Sequence, residues 1–168
     1  MTDDIKQSWT MRFNSLGRFL KSGDNVSDKC DILSFSHGMA AEPPAAGAPR
    51  RVHLYDVSVM RYSDAATPVL MRLCQTGDSL NSVVIEMKAE KDGKEIYRMA
   101  FEILNARVSR INPGGSSGGM DYKPVEDVGF AFEKLPVRLP QGKQNGRAEL
   151  TPQSPAAPRP PPARPHRP

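Results

Sequence analysis

The 168-residue chain has only two cysteines, Cys30 and Cys74, and they form no C-x-x-C pattern. Two thiols 44 positions apart read as small apolar residues rather than halves of a disulfide. No run of eighteen apolar residues occurs, so no membrane span is expected. The N-terminal MTDDIKQSWT carries acids where a signal peptide needs bases, and no apolar stretch follows. Excess charge is missing too. The formal net charge of +4 falls to +1 (4 − 3) without the three arginines of residues 151–168. A nearly neutral body is not a nucleic-acid-coating domain.

Side chains that assemble a reactive centre are equally scarce. Of the three histidines, His37 and His53 lie on separate candidate strands and His166 lies among terminal prolines. Without spaced thiols or carboxylates they make no metal set, and no cofactor is expected. Ser34-Phe35-Ser36-His37-Gly38 lacks the Gly-x-Ser-x-Gly elbow. The glycine-rich Asn112–Gly119 lacks a Gly-Lys-Ser/Thr ending and precedes a strand, so it reads as a turn rather than a phosphate loop. Acidic residues sit at outward strand positions and read as solvated. No active site is expected.

What the chain does have is alternation of apolar residues with polar ones. It predicts strands at about Ser8–Leu16, Cys30–His37 (Leu33 and Phe35 inward) and Val52–Tyr62 (Tyr55, Val57 and Val59 inward). Between the last two, Met39–Arg51 (MAAEPPAAGAPRR) predicts a long projecting loop, because its X-Pro steps exclude a continuous helix. One helix is expected at Ala65–Thr76, with Asp64 as N-cap, Pro68 in the first turn, a stripe of Leu70, Leu73 and Cys74, and Gly77 as the stop. A hairpin follows, Val83–Ala89 and Glu95–Leu104, around Asp92-Gly93. Its inner face holds Val83, Ile85, Met87, Tyr97, Met99, Phe101 and Ile103. Its outer face mixes Val84, Ile96, Ala100 and Leu104 with charges, consistent with either a subunit contact or ordinary surface scatter. Further strands are expected at Ala106–Ile111 and Val125–Leu135, the latter with Val128, Phe130 and Phe132 inward. The fold class is therefore mainly β: a small antiparallel barrel or sandwich with one flanking helix.

Beyond Leu135 aromatic and β-branched residues give way to proline and glycine. The expected organisation is a β-barrel domain over 1–135 and a disordered Pro/Arg-rich tail over 136–168. The tail reads as a structureless extension or as a polyproline II docking ligand.

The order of motifs resembles a known family. Asp31-Ile32-Leu33-Ser34-Phe35-Ser36-His37-Gly38 resembles the Asp-x-Leu-x-Trp-Ser-Trp-Gly strand of the haemolysin-coregulated protein (Hcp) family, with Phe35 and His37 replacing its tryptophans. These are the tube proteins of the bacterial type VI secretion system. Ser63–Leu70 and Cys74–Gly77 resemble its helix, Ile103–Ser116 its strand-to-turn segment and Val128–Leu135 its final strand. The resemblance implies a six-membered ring, stacking of rings into a tube, export without a signal peptide, and sheath and spike components as partners. It also implies small effector proteins in the lumen, faced by Ser34 and Ser36. The loop holding Pro43, Pro44, Gly47 and Pro49 is implied to bridge neighbouring subunits. No nucleic acid and no membrane insertion are implied. A free-standing, monomeric β-barrel binding module is the alternative reading.

Overall fold

The computed structural model describes residues 4–117, 123–141 and 143–153. Eleven strands and one helix form an antiparallel architecture: β1 (Ile5–Asn14), β2 (Lys29–Asp31), β3 (Ser34–Ser36), β4 (Met39–Ala41), β5 (Val52–Leu54), β6 (Val57–Tyr62), α1 (Thr67–Thr76), β7 (Ser79–Lys91), β8 (Lys94–Gly114), β9 (Val125–Ala131), β10 (Leu135–Gln141) and β11 (Gln144–Leu150). Nine strands make one sheet in the order β2-β1-β7-β8-β9-β6-β3, with β10 beside β8 and β11 beside β10; β4 and β5 pair separately.

The sheet does not close as a continuous ladder. One segment nevertheless joins its two ends. β2 pairs with β1 and β3 pairs with β6, and only Ile32 and Leu33 separate them. The Ile32 N–H donates to Trp9 on β1 (3.0 Å) and the Leu33 N–H to Met60 on β6 (2.8 Å). This step replaces the single strand expected over Cys30–His37. The change of partner resets the two-residue period, so Ile32 is buried while Leu33, expected inside, is 46% exposed. Phe35 still points inward, stacking near Trp9 and Phe101 with ring centres 5.7 and 5.1 Å apart. A similar break at Tyr55-Asp56 divides the strand expected over Val52–Tyr62. Val57 and Val59 are fully buried, whereas Tyr55 is 57% exposed beside Gly38.

The helix starts two residues later than expected, at Thr67. Asp64 acts one turn earlier: its carboxylate accepts the Ala66 N–H (2.8 Å) and its carbonyl accepts the Thr67 N–H (3.0 Å). Val69, Leu70 and Leu73 are buried and Cys74 is half-buried, and the helix packs against β8. Gly77 ends it in the left-handed region at φ 75°. The hairpin pairs Val83 with Ile103 and Ile85 with Phe101, so the expected apolar faces meet, through a one-residue register shift between Ala89 and Glu90. Its turn holds Asp92 and Gly93 at φ 51° and 73°, the pair of positive angles that matches strand twist. Both cysteines are free.

The expected end of the ordered body at Leu135 is overturned. β10 and β11 form a hairpin, with Leu135 fully buried and Val137 and Leu150 packed on the core. It pairs along the edge of β8 opposite β7, ahead of the stretch taken by β9: Val137 lies opposite Phe101 and Arg138 opposite Ala100. Prolines survive here because of parity. Pro136 and Pro140 lack an N–H and sit opposite Glu149 and Asn145, in pairs that exchange no ladder bonds, so no donor is lost. β10 extends the sheet beside the β7–β8 hairpin without covering its outer face, where Ile96 stays 45% exposed. Residues 154–168, which hold most of the Pro/Arg-rich segment, lie outside the described residues, as do 118–122 of the glycine-rich turn.

Candidate assembly and lumen surfaces

Ser34 and Ser36 both project outward from β3 and are exposed, opposite Met60 and Ser58 of β6. The neighbouring outer face is polar and internally bonded. Ser58 Oγ donates to Asp127 Oδ1 (2.6 Å), Arg110 Nε donates to Asp127 Oδ2 (2.8 Å), and Arg110 Nη2 reaches Ser58 Oγ (3.1 Å). The Arg110 hydrogen bond holds the Asp127 carboxyl below its ordinary pKa, outweighing the opposite effect of partial burial. Gly129 makes room for this guanidinium: a Cβ there would come within 3.2 Å of Arg110 Nη1 and 3.0 Å of Ser109 Oγ. The result is a largely polar patch beside the exposed Met60, in which the Arg110 cation is neutralised by Asp127 and hydroxyls of Ser34, Ser36 and Ser58 are on offer.

The segment expected to be a loop is a two-stranded arm. β4 and β5 pair with Met39 opposite Leu54 and Ala41 opposite Val52, and the Glu42 N–H donates to Arg51 (2.9 Å). Pro43, Pro44, Gly47 and Pro49 form its exposed tip, where Ala48 N–H bonds to Ala45 C=O (2.9 Å) and Gly47 takes φ 76°. An exposed Glu42–His53 contact of 2.6 Å braces the arm and lowers the Glu42 pKa. At its base, His37 stacks on Phe132 with centres 5.7 Å apart. Its Nε2 is buried without a hydrogen-bond partner, and burial pushes the imidazole pKa down. On the other side of the arm, the Val52 N–H donates to Gln153 Oε1 (3.1 Å).

One group was misread from sequence. Glu126, taken for a solvated acid, is 1% exposed and lies directly opposite the fully buried Arg61. Arg61 Nη1 meets Glu126 Oε1 at 3.1 Å, and Asp64 closes on Nη2 at ion-pair range without a well-directed hydrogen bond. The second Glu126 oxygen accepts from Ser63 Oγ (3.0 Å) and Thr67 Oγ1 (2.8 Å). This cluster ties the helix start to β6 and β9. The described residues contain no group of three or more His, Cys, Asp or Glu side chains placed to hold a metal. No described helix is long and apolar enough to cross a membrane.

The outer face of β1, β7, β8 and β10 carries grooves rather than a pocket. One, of about 270 Å³, lies between Val84, Ala100, Glu102, Pro136 and Pro140, with Arg138 at its side. Glu86 at its margin pairs with Lys88 (3.1 Å) and Arg98 (3.2 Å). Next to it Arg12 stands directly opposite Lys29.

The architecture is thus an open, antiparallel β-fold with one helix and a two-stranded arm. The family comparison is specific: residues 21–138 match the family described as Type VI secretion system effector, Hcp, and the chain belongs to that family. It is 25% identical over 96 residues to Protein hcp1 of Pseudomonas aeruginosa, covering 57% of this chain and 58% of that one. The chain thus spans somewhat over half the length of this curated relative. Hcp1 from Salmonella typhimurium superposes with a TM-score of 0.65 at 17% identity, covering 86% of this chain and 94% of that one. A type VI secretion system effector from Yersinia pestis gives 0.60 at 16%, over 85% and 98%. The secreted protein Hcp3 from Pseudomonas aeruginosa gives 0.57 at 14%, over 88% and 100%. At these identities the superpositions establish the fold.

Proposed function

We propose that this protein is a tube subunit of the type VI secretion system: it closes into a six-membered ring, and rings stack into a tube that is exported. The observation that carries this reading is the family match across residues 21–138. A projecting arm whose tip buries nothing within its own chain agrees with it, since that surface gains an energetic role only against another copy. Sheath and spike components are the partners such a tube requires. Ser34 and Ser36 face the lumen in this reading. Their hydroxyls and the neutralised Arg110–Asp127 pair give a wall that small effector proteins contact without large desolvation penalties.

Light scattering across protein concentrations tests the ring. A hexamer of the 18.5 kDa chain has a mass of about 111 kDa, six times the monomer. Deleting Pro43–Ala48 should lower the mass while preserving the β-sheet circular dichroism. A particle that stays at 18.5 kDa at high concentration points instead to the free-standing binding module. Ser36→Gln should leave ring mass unchanged and reduce co-purification of a cognate effector; unchanged retention removes Ser36 from the cargo surface.

A further inference from the structure

Sheet edges are hazards, because their outward N–H and C=O groups invite any other strand. Three edges of this molecule are closed from within. At β2, Ser27 Oγ accepts the Lys29 N–H (3.2 Å) and donates to the Lys29 carbonyl (2.9 Å). At β5, the Val52 N–H is taken by Gln153. β10 carries Pro136 and Pro140.

β11 has no such device. It pairs only with β10 among the described residues, and Gln144–Glu149 are all exposed. The prolines identify its outward groups. Pro140 and Pro136 cannot exchange ladder bonds with Asn145 and Glu149, so in an alternating antiparallel ladder Asn145, Arg147 and Glu149 direct their backbone groups away from β10. None of the three is proline, and no lysine or bulge guards the edge.

β4 is a further open edge, besides the short β3 that pairs only with β6 among the described residues. The Glu42 N–H bond to Arg51 makes that pair the exchanging one, so Met39 and Ala41 point their backbone groups away from β5. Because β5 is the strand clipped to Gln153, just beyond β11, the β4 edge is turned away from its own β11. A three-residue, two-stranded arm is marginal alone. Two open edges of compatible length therefore face in different directions on one chain, the arrangement that makes a head-to-tail contact.

We infer that β4 of one copy adds to the outer edge of β11 of a second copy as an antiparallel strand, with Ala41 opposite Arg147. This register sets Ala40 against Ala148 and Glu42 against Gly146, and leaves Met39 opposite Glu149 as the one pair of long side chains within β4. The inference rests on the assembly reading above and specifies the surface that receives the arm.

The test exploits the parity of β11. Arg147→Pro removes an outward donor and leaves the β10–β11 ladder intact, whereas Arg147→Ala keeps the donor and removes only the charge. Light scattering should show Arg147→Pro at the mass of a single chain or a small oligomer with unchanged circular dichroism, and Arg147→Ala at the mass of the wild type. In a Cys30→Ser, Cys74→Ser background, a mixture of Ala40→Cys and Ala148→Cys chains should form an interchain disulfide under mild oxidation, at least tenfold more than either alone. A wild type that assembles while Arg147→Pro assembles equally well overturns the inference and leaves the ring reading standing. Crosslinking of Ala148→Cys chains with each other overturns the arm as occupant. A monomeric wild type overturns both readings.

Discussion

Two ion pairs in this molecule lie at opposite extremes of solvent exposure. Arg61 and Glu126 are sealed between β6, β9 and the start of α1, with both side chains at 0% exposure. His53 and Glu42 brace the arm with side chains 56% and 52% exposed. Their separations, 3.1 and 2.6 Å, would rank the arm pair as stronger. Physics ranks them the other way. Water competes with and screens an exposed pair, so distance carries little energy there. A buried charge has no such substitute, and removing its partner strands it in a poor solvent. The body is held by burial, and the arm is left free to be held by another molecule.

The contrast is sharpest if one buried partner is removed. Glu126→Ala should destabilise the chain by about 3 kcal/mol, since it leaves the buried Arg61 with only the half-exposed Asp64 as counter-charge and Ser63 and Thr67 without their acceptor. Urea denaturation followed by circular dichroism measures this. A loss below about 1 kcal/mol would show that water reaches Arg61. Replacing both partners, Arg61→Met with Glu126→Leu, should recover most of the loss, because apolar side chains need no solvation.

Truncation after Pro140 should have the next largest effect. It removes β11, uncovers Val137 and deletes Leu150 from the core, a loss of about 2–3 kcal/mol by apolar burial alone. At about 2–4 °C per kcal/mol, the thermal midpoint should fall by roughly 4–12 °C. An unchanged midpoint would return the β10–β11 hairpin to the status of an accessory.

A smaller effect is expected at His37. Its folded pKa lies below the ordinary value because burial disfavours the imidazolium. The unfolded chain therefore binds the proton more readily, and stability is complete above about pH 6.5 and declines as pH falls toward the folded value. His37→Phe keeps the stack on Phe132 and should remove this slope. Comparing thermal midpoints at pH 7.5 and 5.5 in both proteins checks the sign.

The smallest effect is expected on the arm. Glu42→Gln should leave the unfolding midpoint of the body unchanged, although the folded Glu42 pKa is lowered by His53. That lowering makes the contact present above the ordinary glutamate pKa and lost as pH falls through the folded value. Titration of Glu42 followed by NMR should show a lowered midpoint that returns toward normal in His53→Ala. A large change in global stability would mean that the arm is folded into the body rather than carried by it.

Much of this was legible in the residues. The Asp92-Gly93 turn, the Leu70/Leu73 stripe, the Gly77 stop and the inward Val128, Phe130 and Phe132 follow from local rules of turn geometry and periodicity. The outward aim of Ser34 and Ser36 follows from the same alternation, since Phe35 between them packs inward. Two of the misses share one cause. Leu33 and Tyr55 obey the two-residue period only if their strands continue, and both strands break where the chain changes partner. No local signal marks a change of partner.

The sequence by itself therefore determined which segments extend, which one coils, where the tight turns fall and, through its ordered motifs, the family. Tertiary structure alone decided which acid is buried, which prolines a strand tolerates and which edge stays open. Glu126 has a cation opposite because β6 lies beside β9, and Pro136 and Pro140 fit because β11 arrives with the right parity. The physical reason is range. Turn and helix preferences act over a few residues, whereas desolvation and ladder pairing depend on whichever distant segment the fold brings alongside.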